Sequence, residues 1–147
     1  MIALAADARA LAIGHRLPRR EHAPTRVEIA WYMVASYDLN PIHVDEPFAR
    51  SAGFPTVIGQ GMIPFGYLAA TLVEAVGVHR LRAIGGDFVS PVLPDEALMI
   101  DVELAERREI AGAVELVWSL QAVGVADGRP RVRGTARSVH EEATPGG

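Results

Sequence analysis

The stretch GMIPFGYLAATLVEAVG, residues 61–77, decides the fold. Glycines bracket a run from Met62 to Val76 whose only charge is Glu74, and Pro64 falls in the first turn, where a missing N–H costs little. At about 1.5 Å per residue such a helix is roughly 22 Å long, enough to cross a small sheet. A helix this apolar on every side is expected to be enclosed on nearly all of them.

What encloses it follows in the chain. From Arg82 onward the apolar period changes from helical to twofold. Leu98, Ile100, Val102 and Leu104 alternate with Asp101 and Glu103, and Val114, Leu116, Trp118 and Leu120 fall on one face. Val132, Gly134 and Ala136 oppose Arg131, Arg133 and Arg137, which alternation assigns to a solvated face. Ala111-Gly112 and Asp127-Gly128 mark the turns. Before the long helix, Thr25 and Glu28 form a capping box that starts another helix at TRVEIAWYMVAS. DEPFARSAG then reads as a short helix, with Asp45 as cap, Pro47 in the first turn and Gly53 as the stop. Helices followed by an antiparallel meander give an α+β class, one buried helix wrapped by a sheet.

The bulk properties bound the function. The 147 residues fit a single domain, expected over 1–140, with 141–147 as a disordered tail. The opening MIALAADARALAIG lacks a basic n-region and is broken by Asp7 and Arg9, so it reads as a mobile lead into a strand rather than a signal peptide. No apolar run approaches the roughly 18 residues of a membrane span. A net charge of −4 argues against nucleic acid as a partner. The chain has no cysteine, which excludes disulfides, thiolate metal sites and a cysteine nucleophile. The cytoplasm is the expected compartment.

Chemistry concentrates in SYDLNPIHVDE, residues 36–46, around the only asparagine of the chain. Asp38, Asn40 and His43 flank an Asn-Pro step that fits neither a helix interior nor a central strand. A turn followed by a helix cap would account for the residues, and so would an acid/base pair. Asp38, His43 and Asp45 are also metal-ligand types, but no second histidine stands at ligand spacing, and no metal is expected. The remaining histidines, His15, His22, His79 and His140, read as surface groups.

The segment SYDLNPIHVDEPFARSAGFPTVIGQGM resembles the MaoC-like (R)-specific enoyl-CoA hydratases and 3-hydroxyacyl dehydratases of the hot-dog fold. Their hydratase motif, Asp-x-Asn-Pro-x-His, is matched by Asp38, Asn40, Pro41 and His43. Their His-Gly-Met turn into the central helix is matched at Gly61 and Met62, with Gln60 in place of the histidine. FVSPVLPDEAL is similar to the strand and proline turn that follow. The resemblance implies a hot-dog fold and a hydro-lyase without a cofactor, acting in fatty acid or polyketide metabolism. Its substrate would be a trans-2-enoyl or 3-hydroxyacyl thioester of coenzyme A or an acyl carrier protein.

It further implies Asp38 and His43 as the catalytic pair, Gly61 as the oxyanion donor, and Asn40 and Gln60 in support. Tyr37, where hydratases carry glycine, becomes a candidate for reshaping the acyl pocket, the alternative being that its ring packs into the core. Asp87 stands where a basic residue is frequent. A homodimer is expected and a heterodimer is the variant of it. Two other functions fit the same residues: a non-catalytic thioester-binding or partner subunit, and an oxa-Michael cyclase using the same pair.

Overall fold

The computed structural model describes residues 10–141, so residues 1–9 of the expected lead-in and most of the expected tail lie outside the described residues. The elements are β1 (Arg20–His22), α1 (Arg26–Ser36), a 3₁₀ turn (Pro41–His43), α2 (Glu46–Ser51), α3 (Met62–Val76), β2 (Leu81–Phe88), β3 (Leu98–Ile110), β4 (Ala113–Gly124) and β5 (Pro130–Glu141). All strands join one antiparallel sheet in the order β1-β3-β4-β5-β2. Helix α3 lies across its inner face, the hot-dog arrangement.

Twofold alternation puts Leu98, Ile100, Val102 and Leu104 of β3 and Val114, Leu116, Trp118 and Leu120 of β4 on that face. They close on Leu68, Leu72 and Val76 of α3. Burying each such side chain contributes about 1.5–3 kcal/mol, which makes this layer the main source of stability. The turns between strands use left-handed glycines, Gly112 at φ 70° and Gly128 at φ 66°. Trp118 would strand its indole N–H in this core, but Ser138 Oγ accepts it at 2.9 Å and also lies within hydrogen-bond distance of His140 Nε2, at 3.0 Å. His140 is thus half-buried, and burial, with Arg80 adding to it, lowers its pKa. His22 also departs from a surface role, stacking on Tyr67 with centroids 4.3 Å apart.

Two expectations are corrected. Helix α3 is buried on the sheet side only, through Ile63, Pro64, Leu68, Thr71, Leu72, Ala75 and Val76, while Met62, Gly66, Ala70 and Glu74 form an exposed line at spacing four. Arg131 is not on a solvated face. Ala122 pairs with Val132 and Val123 with Pro130, so Arg131 is the extra residue of a β-bulge, which turns its side chain inward. There it forms ion pairs with Glu96 and with Asp127, the latter at 3.0 Å, and donates to the Arg129 carbonyl at 3.0 Å. Its own carbonyl accepts from Val89 N–H at 2.8 Å, fastening the loop after β2.

Candidate active site

The site is assembled from the ends of α1 and α3 and the segments between them. Thr25 caps α1 through Glu28 N–H at 3.1 Å, and the Glu28 carboxylate takes the Thr25 N–H at 2.7 Å. The backbone and hydroxyl of Thr25 hold the Glu28 pKa below the usual carboxylate range. The helix ends at Tyr37, whose φ of 59° places it in the left-handed region. That reversal releases the chain outward, so Asp38 follows in a non-helical stretch. Asn40 then caps the 3₁₀ turn, its Oδ1 accepting the Ile42 N–H at 3.1 Å, and Pro41 supplies the fixed φ of the first position.

This turn carries His43 inward, to 7% exposure. Its Nδ1 lies 2.7 Å from the Ile58 carbonyl, an oxygen that can only accept, so Nδ1 carries the proton. In the neutral ring the tautomer is thereby fixed, with the lone pair on Nε2. Nε2 faces Asp38 Oδ2 at 3.4 Å, and the carboxylate is half exposed while the ring is not. A water held by the pair puts its proton within reach of both acceptors, the arrangement needed to activate it.

The Ile58 carbonyl links the pair to Gly61, three residues on, at the start of α3. Ile58 N–H bonds the Ile42 carbonyl at 3.2 Å and Gly59 N–H bonds the Val92 carbonyl at 2.8 Å, so this segment is held from both sides. Gln60 is 3% exposed and its Nε2 reaches the Ile29 carbonyl of α1 at 3.4 Å, while Oε1 has no partner among the described residues. Gly61 is the N-cap of α3 and makes no side-chain cap; the Ile63 N–H is taken by the Gln60 carbonyl at 3.0 Å and Pro64 has none, so the Gly61 and Met62 N–H groups at the positive helix end are the ones that can face a ligand. A Cβ at Gly61 would stand 2.6 Å from Phe88 Cδ1, so any side chain there must displace the aromatic ring.

The sequence-predicted residues therefore separate. Asp38 and His43 meet; Asn40 shapes the turn between them; Gln60 ties α1 to the turn that ends at Gly61. Tyr37 is 82% exposed, which rules out the expectation of a ring packed in the core. Its ring stands in solvent one residue from Asp38. Asp87 is exposed on β2. Sequence reasoning missed the Ile58 carbonyl, a backbone group with no side-chain signal, and Phe88, whose contact with Gly61 spans 27 positions. It also missed Arg131, for which the acidic Asp127 four residues earlier was the available signal.

Fold and site together define a hot-dog protein with an Asp/His pair set before the open N-terminus of its central helix. The chain belongs to the MaoC-like family: the model of the MaoC like domain matches residues 10–140. It is 34% identical over 100 residues to 3-hydroxyacyl-thioester dehydratase Y of Mycobacterium tuberculosis, a match covering 61% of this chain and 34% of that protein. With peroxisomal enoyl-CoA hydratase 2 of Arabidopsis thaliana it shares 33% over 78 residues, 51% of this chain and 25% of the other. The matches thus span only a quarter to a third of those relatives. Among solved structures, R-hydratase PhaJ1 of Pseudomonas aeruginosa superposes with a TM-score of 0.78 at 20% identity, over 92% of this chain and 85% of that one. The (R)-hydratase of A. caviae gives 0.77 at 22%, over 92% and 100%. At such identities these two show the fold.

Proposed function

We propose that the protein is a hydro-lyase that adds water to a trans-2-enoyl thioester, or removes it from the 3-hydroxyacyl thioester, of coenzyme A or an acyl carrier protein. The observation that carries this is the pair of acceptors, His43 Nε2 and Asp38 Oδ2, 3.4 Å apart with the imidazole tautomer set by Ile58. The names of the relatives, an enoyl-CoA hydratase and a 3-hydroxyacyl-thioester dehydratase, support the same chemistry. In the forward direction the pair holds a water; its oxygen bonds to Cβ, its proton passes to the pair, and Cα gains one proton in turn. Negative charge builds on the thioester oxygen, and the Gly61 N–H at the α3 terminus stabilises it. Atoms balance with water alone, and no redox or group-transfer cofactor takes part.

Residues 1–140 act as one unit on this account, in the cytoplasm and as a dimer. The test is loss of the 2-enoyl thioester absorbance on hydration, in wild type and in Asp38→Asn and His43→Gln. Each substitution is expected to lower turnover by roughly 10² to 10⁴ with the fold retained. The double variant should lose little more than either single one, because the two groups hold one water. Full activity in either single variant would sink the assignment, and wild type without hydration would leave a binding subunit instead.

A further inference from the structure

The peptide unit between Ile58 and Gly59 is held at both ends. Its carbonyl accepts the His43 Nδ1 proton at 2.7 Å, and its N–H donates to the Val92 carbonyl at 2.8 Å. A trans peptide is planar, with C=O and N–H pointing in opposite directions, so whatever fixes the Val92 carbonyl also aims the Ile58 oxygen. Hydrogen bonds in such a chain also polarise one another. Val92 thus stands two hydrogen bonds from the imidazole, although it lies on the far side of α3 and β2 in the chain.

Val92 belongs to the connection between β2 and β3, which has no ladder of its own to hold it. Both of its flanks are fastened by one ion cluster. On one side, Ser90 Oγ accepts from Arg131 Nη1 at 3.4 Å and donates to the Pro130 carbonyl at 2.8 Å. On the other, the Glu96 carboxylate divides: one oxygen pairs with Arg131, and the second accepts the Leu93 N–H at 3.0 Å. The pair is enclosed, with the Arg131 side chain 10% exposed and that of Glu96 13%. Gly124 leaves room for it, since a Cβ there would stand 2.7 Å from Arg131 Nη2 and 2.8 Å from Glu96 Oε1.

Stability alone does not call for such a cluster. Apolar residues of similar volume often match or surpass a buried ion pair, because desolvation offsets its attraction. What they do not supply is direction. We propose that Arg131 and Glu96 are positioning residues: they set the Val92 carbonyl, and through the Ile58–Gly59 peptide they keep the proton of neutral His43 on Nδ1, with Nε2 facing Asp38. The expected effect on turnover rests on the thioester function above; the effect on the imidazole does not.

Two variants remove direction and keep volume. In Glu96→Gln the amide has a single acceptor oxygen, which serves Arg131 or the Leu93 N–H but not both. The double variant Arg131→Met, Glu96→Leu makes the pair apolar, while Asp127, half exposed, keeps water as its partner. Each is labelled with ¹⁵N-histidine and followed by NMR at about pH 8.5, above the ordinary imidazole range. The His43 signals are assigned by their loss in His43→Gln. Wild type should show the Nδ1–H form alone, and both variants should show the Nε2–H form beside it. On trans-2-butenoyl-CoA, well below each melting temperature, kcat should fall roughly tenfold to a hundredfold, the effect of a misplacement of about 1 Å, with KM nearly unchanged.

Folded variants that keep the single Nδ1–H form overturn the proposal, whatever their melting temperature. So does a fall in kcat that only tracks the folded fraction. If the double variant does not fold, Glu96→Gln decides, since it leaves Arg131 its Asp127 and Arg129 partners. If the tautomers mix while kcat holds, or if wild type hydrates nothing, the catalytic reading of His43 fails and the positioning stands.

Discussion

Tyr37 concentrates the tension between local strain and site geometry. A non-glycine residue in the left-handed region costs roughly 1–2 kcal/mol, and here φ is 59° with the ring 82% exposed, so no packing within the chain offsets it. Tyr37→Gly removes that cost but widens the unfolded ensemble, which offsets about 0.4–1 kcal/mol. The variant is therefore expected to be more stable by up to about 1.6 kcal/mol, seen as a higher urea midpoint. Activity is the second readout. If the exposed ring guards the approach to Asp38, Tyr37→Gly changes KM more than kcat; if it only caps α1, neither moves, and a fall in stability would contradict the strain itself. The exposure of the ring was not legible in the sequence, where a tyrosine beside the motif could equally have packed inward.

At the scale of elements, the motif segment is tied down by one carboxylate. Glu46, at the start of α2, accepts from Arg50 at 3.0 Å, from Thr56 at 2.9 Å and from Arg26 of α1 at 3.0 Å. Arg50, Thr56 and Arg26, in that order of effect, hold its pKa at about 2 instead of 4.5. Between those values the unfolded chain binds more protons than the folded one, so stability falls as the pH falls. The contribution is whole above about pH 4.5 and is lost on the way down to about 2. Glu46→Gln should lower the melting temperature near neutral pH and flatten its decline over that range; an equally steep decline would place the acid sensitivity elsewhere.

The elements themselves were largely legible. A strand buried on one face must alternate, and Thr25 and Glu28 announce their helix because each satisfies a first-turn N–H or hydroxyl. The pair Asp38 and His43 was legible as a motif, its tautomer was not, since Ile58 acts through its backbone. Arg131 was misassigned for a physical reason: it is the extra residue of a bulge, so it leaves the face that period two assigns it, while Arg133 and Arg137 beyond the bulge stay exposed as the alternation reads. The exposed line on α3 was missed because apolar composition does not reveal whether the chain or another molecule covers a helix.

For the whole molecule the uncovered surfaces point to self-association. The sheet ends on β1, three residues long, and on β2, eight residues long. Strand β2 has neither proline nor lysine to blunt it; its bulge lies at Arg82, which leaves Ala83–Phe88 regular, with Phe88 58% exposed and Val89 beyond it 48%. Antiparallel pairing of two β2 strands about a twofold axis would satisfy the free edge of both copies and make a ten-stranded sheet. Light scattering at micromolar concentration should then give about twice the 15.8 kDa of one chain. Gly85 lies near the middle of that regular stretch, and a Cβ there meets nothing within 4 Å in the protomer, so Gly85→Glu leaves the fold of one chain intact. In a twofold pair it sets two carboxylates close together across the axis, where like charges oppose association. The variant should dissociate on dilution at concentrations where wild type stays dimeric, with unchanged far-ultraviolet circular dichroism. A monomeric wild type, or a Gly85→Glu dimer as tight as wild type, would show that β2 is not the edge through which the chains meet.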